Sequence, residues 1–181
     1  MARTSWLQIL DFLVVTGTAD EANSAILERP GVRLVRDAMR AAGIPDDVRV
    51  LATSVPTAAA AAEQLGCPVG AIANSLVFEA DGVPLLVLTS GAHRVQTAAL
   101  AKRIGAGSLR RASAETVRTA TGHAIGGVAP LGHPAPLRTL VDEALAAYEV
   151  IWAAAGHHQT VFPSSFTQLV AATSCTVVAV D

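Results

Sequence analysis

Aromatic side chains make up only 4% of the 181 residues. A core without rings must be packed from small aliphatic groups, so its elements lie close together. Charge is also scarce: Asp, Glu, Lys and Arg total 15%, and the net charge is -2. This excludes a histone-like or generally basic nucleic-acid binder and leaves room only for a local basic face. Two cysteines are present, Cys67 and Cys175. They lack CxxC or Cys/His spacing, so no zinc ribbon is read, and both are expected to be buried thiols in a reducing cytoplasm. The apolar run Trp6–Val15 behind Arg3 is broken by Gln8 and Asp11. A membrane span needs about 20 apolar residues, so neither a span nor a convincing secretory signal is read there. The run is taken as an extra helix, or as residues following a start codon placed too early.

Several catalytic signatures are missing as well. There is no GxSxG elbow, no Gly-Lys-Ser/Thr phosphate loop, no dinucleotide fingerprint between strand and helix, and no HExxH. Ser75, Ser90 and Ser165 stand in ordinary contexts, and Cys67 has no evident His partner. Covalent catalysis is therefore disfavoured. No metal and no cofactor are expected.

Half of the chain is hydrophobic (51%) and its length suits one domain around one core. Residues 31–42 have helical spacing through Val32, Val35, Met39 and Ala42, and are stopped by Gly43 and Pro45. Val48–Leu51 alternates like a strand. Thr57–Leu65 reads as a capped helix ending at Gly66. Ile72–Phe78 and Pro84–Leu88 flank Asp81-Gly82, the strongest hairpin signal in the chain. Helices are expected at Thr97–Ile104 and after Ser113, with a short strand at Ser108–Arg111 between them. Gly122–Pro136 holds four glycines and three prolines and must be an irregular, built loop. Strands follow at Leu137–Val141, Tyr148–Ala153 and Thr160–Phe162, then a helix capped by Ser164 and a last strand at Thr176–Val180. A run of strands with irregularly inserted helices predicts an α+β fold with a mixed, largely antiparallel sheet. Residues 1–30 are read as an extension and 31–181 as a single domain.

Three segments have chemical potential. Gly126-Gly127-Val128-Ala129-Pro130-Leu131-Gly132 is either a tight structural turn or a loop whose N–H groups bind an ester oxygen, a phosphate or water. Ser90–Arg94 closes an apolar strand; it is a solvated turn, or a site where Arg94 meets phosphate and His93 a ribose or base. Gly156-His157-His158 follows another strand. Adjacent histidines in extended chain point to opposite sides, which argues against a shared metal. Lys102, Arg103, Arg110, Arg111 and Arg118 form either a solvated basic face or a contact for a nucleic-acid backbone.

In order and spacing, several stretches are similar to the YbaK/prolyl-tRNA-synthetase-associated editing family. They are Ala71–Phe78, Leu88–Val95, Leu100–Lys102, Gly126–Gly132, Val141–Glu143 and Ala155-Gly156, spanning roughly residues 31–180. The resemblance implies a barrel-like mixed sheet wrapped by helices. It implies hydrolysis of a mischarged aminoacyl-tRNA by a free-standing, cytoplasmic enzyme. The partner implied is the tRNA acceptor end, with an aminoacyl-tRNA synthetase as a second partner. In such enzymes the GxxxP loop shapes an aminoacyl pocket and a tRNA hydroxyl assists. Here the loop would be Gly126, Gly127, Val128, Ala129 and Pro130, acting with Asn74. Ser75, Gly91, His93, Arg94, His133, Asp142, Gly156 and His157 would contact the substrate. The family pattern Ile-Ala-Lys-Ser has Asn74 at its lysine, which removes a charge. That departure also admits a non-catalytic binding module, or a pocket for a small aminoacyl ester.

Overall fold

The computed structural model describes residues 20–53 and 57–181. The apolar run near the N-terminus lies outside them. Residues 20–27 are helical (α1). Helix α2 (Pro30–Ala41) opens on Pro30, where a missing N–H is harmless. Its Val32, Val35 and Met39 stripe is completely buried, so the expected 31–42 helix is present and starts one residue earlier.

Strands β2 (Ile72–Ala80) and β3 (Val83–Ser90) form the expected hairpin. Asp81 and Gly82 both have positive φ, 51° and 85°, the combination whose twist suits a two-residue turn. The Asp81 carboxylate accepts the N–H groups of Gly107 and Ser108 at 3.0 and 2.7 Å. This ties the approach to β4 (Leu109–Arg111) onto the hairpin. Along β3, Leu85 and Val87 enter one core cluster and Leu86 and Leu88 the other. Burial on both faces is why this stretch is an unbroken apolar run.

The sheet order is β1 (Arg49–Val50), β7 (Thr160–Ser164), β6 (Ile151–Ala154), β2, β3, β5 (Thr139–Asp142), β8 (Thr176–Val178), with β4 also on β2. The β1–β7, β6–β7, β2–β3 and β2–β4 pairs are antiparallel, while β2–β6, β3–β5 and β5–β8 are parallel. The mixed sheet expected from the sequence is thus present. Around it lie α3 (Ala58–Leu65), α4 (Thr97–Arg103), α5 (Ala114–Thr121) and α6 (Phe166–Thr173). Thr57 and Ser113 cap α3 and α5 as expected, accepting N–H groups at 3.2 and 3.0 Å. The cap of α6 is Ser165, not Ser164, because β7 runs through Ser164 and Gln168 completes a capping box with Ser165. Cys67 and Cys175 are free and half-buried, and burial raises the Cys67 thiol pKa. Among the described residues no helix is long and apolar enough to cross a membrane.

The placement of the site follows from β2. One edge of β2 pairs with β3 along its length. Its other edge is shared: β6 takes Ile72 and Ala73, and β4 takes Phe78–Ala80. Between them a stretch of β2 edge has no neighbouring strand. The Gly91 N–H bonds the Ile72 carbonyl, which identifies the even-numbered residues as those whose backbone groups face β3. Antiparallel alternation then turns the N–H and C=O of Ser75 into the gap.

Candidate functional site

The gap opens into a cavity of about 280 Å³. The edge of β2 from Ile72 to Val77 forms its floor. Thr57, Ala58 and Ala61 at the start of α3, with Trp152, Ala154, Thr160 and Val161, form one wall. Arg111, Ala112 and Val117 form another, and Ile125, Gly126, Val128 and His158 complete the lining. Ile125 is 67% exposed and stands at the rim. The Gly127 N–H bonds the Ala124 carbonyl at 3.0 Å, closing a turn whose third residue, Gly126, has φ +90°. A glycine suits that position because the turn needs positive φ.

Of the residues expected at a site, Asn74, Ser75, Gly126 and Val128 meet at this cavity. The others lie elsewhere. A Cβ on Gly127 would be 2.9–3.0 Å from the backbone of His157, so this glycine allows two loops to touch. Ala129 is completely buried. Pro130 and His133 line a separate shallow groove between α2 and α6, and His133 Nε2 lies 2.9 Å from the Ala129 carbonyl. Gly156 admits the Gly31 carbonyl, which would sit 2.4 Å from an added Cβ. His157 and His158 occupy a turn rather than extended chain. Their rings are therefore side by side, with centroids 4.0 Å apart, and His158 is the one that lines the cavity.

Gly91, His93, Arg94 and Asp142 form a different place, because β3 occupies the edge of β2 opposite the gap. Asp142 is completely buried. It accepts the Ser90 N–H at 3.0 Å, the Thr89 hydroxyl at 3.3 Å and the Ala144 N–H at 3.1 Å, joining the ends of β3 and β5. His93 Nδ1 approaches the same carboxylate to 3.0 Å. Its ring lacks the alignment of a hydrogen bond. Arg94 is exposed, and a Cβ on Gly91 would meet the Val69 carbonyl at 2.3 Å.

The cavity lining is largely aliphatic, and its ionisable members are Arg111 and His158. The Arg111 guanidinium lies 5.3 Å from the Phe78 ring centroid. The Ser75 hydroxyl is buried and has no hydrogen-bond partner. Among the described residues no group of three His, Cys, Asp or Glu converges as a metal site. Sequence reasoning missed Thr57, Ile125 and Trp152 at the site, and it singled out His158 only as part of the Gly156–His158 segment. It placed Arg111 only in a diffuse basic cluster.

Behind the loop, His123 is 2% exposed and neither ring nitrogen has a well-aligned partner. Burial, and then the nearby His133, push its pKa down from 6.5 to about 4. Burial also lowers His133 and His157. The His123 ring folds neutral, whereas an unfolded chain takes up its proton near pH 6.5. Stability therefore falls as pH drops from 6.5 toward 4, by about 3 kcal/mol from His123 alone. Urea midpoints across this range should show that slope, and His123→Leu should flatten it. Equal slopes in the two proteins would remove His123 as the cause.

Residues 52–172 match the family of aminoacyl-tRNA editing domains. This is well over half of the chain. The chain belongs to that family. A solved structure of a proposed trans-editing enzyme for prolyl-tRNA synthetase is 37% identical, with a TM-score of 0.78. The match covers 84% of this chain and 98% of that one. The protein YwhH of Bacillus subtilis (strain 168) is 30% identical over 61% of this chain and 71% of its own. A proline–tRNA ligase of Lysinibacillus sphaericus (strain C3-41) is 31% identical over 41% of this chain, and the match spans only 13% of the ligase.

Proposed function

We propose that this editing domain is a trans-acting deacylase that hydrolyses the ester of a mischarged aminoacyl-tRNA in the β2 cavity, in the cytoplasm. One observation supports this reading most: Ser75 is among the residues lining an aliphatic cavity, and its hydroxyl is buried without a partner. An unsatisfied buried hydroxyl is unfavourable in the empty protein and becomes favourable when a ligand bonds to it. The aliphatic lining suits a small side chain. The open N–H and C=O of Ser75 suit the carbonyl and ammonium of the aminoacyl group. Asn74 and Gly126 supply further hydrogen-bonding groups around the ester. In the reaction, water adds to the ester carbonyl and the ribose hydroxyl leaves with a proton, releasing the free amino acid. Among the described residues the lining contains no carboxylate, cysteine or lysine, so the chemistry falls to positioned polar groups and to the substrate's own hydroxyl.

A second reading, a binding module without turnover, is favoured by Asn74 at the position of the family's lysine. The deciding experiment is deacylation of a panel of mischarged tRNAs by the wild-type protein. Release of one amino acid well above the buffer rate supports the enzyme. Saturable binding without release supports the module, and neither binding nor release overturns both.

A further inference from the structure

We propose that Arg111 holds the 5′-phosphate of the nucleotide whose ribose carries the esterified amino acid. This rests on the cavity being the editing site. Among the described residues lining that cavity, Arg111 is the one lysine or arginine. No carboxylate of the described residues forms an ion pair with it. The adjacent Arg110 is engaged, with its Nε 3.2 Å from Glu79 Oε2. The Arg111 guanidinium lies over the Phe78 ring instead. That contact orients the planar group without using its hydrogen-bond donors, which leaves them for an anion.

Register places this cation at a useful distance from the ester. Arg111 is opposite Phe78 across the β2–β4 pair. Side-chain alternation therefore sets Arg111 on the same face of the sheet as Asn74, Leu76 and Phe78. Four residue steps of strand separate Asn74 from Phe78, about 13 Å along β2. Side chains lean along the strand, so the guanidinium can cover part of that interval. The remaining span suits one nucleoside lying between an ester near Asn74 and Ser75 and a phosphate near Arg111. Ile125, exposed at the rim, gives the flat face of the base an apolar surface.

The test uses 3′-O-alanyl-adenosine with and without a 5′-phosphate, on the wild-type protein, Arg111→Gln and Arg110→Gln. The wild type should favour the phosphorylated ester in kcat/KM by about tenfold, carried by KM, as expected for one charge-assisted contact. Arg111→Gln should abolish that preference. Arg110→Gln should keep the preference. A preference that survives Arg111→Gln, or is missing in the wild type, overturns the proposal. If neither ester is hydrolysed, the tRNA panel decides the editing reading separately. Equilibrium titration with AMP and adenosine then decides about Arg111: a phosphate-dependent affinity lost in Arg111→Gln supports the anion site, and equal affinities overturn it.

Discussion

Gly156→Ala is expected to lose about 3 kcal/mol or more of folding stability. Two penalties combine. Gly156 has φ +90°, a region that is strained for any residue with a Cβ. The new Cβ would also lie 2.4 Å from the Gly31 carbonyl oxygen and 3.0 Å from the Val32 nitrogen. Those atoms belong to the first turn of α2, and Val32 is completely buried, so they cannot yield cheaply. Gly66→Ala is the control. Gly66 has φ +64° with open space around it, so only the backbone strain applies, about 1 kcal/mol. Urea midpoints compare the two directly. Equal losses would mean that the contact between α2 and the 156–158 turn is soft.

Ser75→Ala is expected to separate function from stability. Its kcat/KM should fall by roughly tenfold to a hundredfold, the usual range when a hydrogen bond to a charged or developing charge is deleted. Its stability should not fall, because the change removes a buried hydroxyl that has no partner in the empty protein. A structural serine would behave in the opposite way, losing midpoint and keeping rate. Deacylation rates and urea midpoints on the same preparation distinguish the two.

Local chemistry made much of the fold legible. Asp81-Gly82 announced the β2–β3 hairpin, Thr57 and Ser113 announced their helices, and the Gly/Pro-rich segment at 122–136 was recognisably a built loop. The misplaced cap, Ser164 for Ser165, is an error of one residue where a strand passes directly into a helix. The site was only half legible, because it is made by long-range pairing. Whether the gap lies beside Asn74 depends on β6 and β4 covering opposite ends of one edge of β2, and neither pairing can be read from a single strand. The loop glycines were visible, but Gly127 and Gly156 serve protein contacts. His93, Arg94 and Asp142 follow an apolar strand as a site might, yet β3 carries them to the side of β2 away from the cavity. Arg111 was hidden in a cluster of five basic residues until the fold placed it, alone of those five, on the cavity lining.

The most direct measurement is a crystal structure with a stable substrate mimic, 3′-alanylamino-3′-deoxyadenosine, whose amide replaces the labile ester. The aminoacyl group should lie against the edge of β2 between β6 and β4, bonded to Ser75 and within reach of Asn74 and Gly126. Density for the mimic in the groove between α2 and α6, or beside His93 and Arg94, with the β2 cavity vacant, would contradict the account.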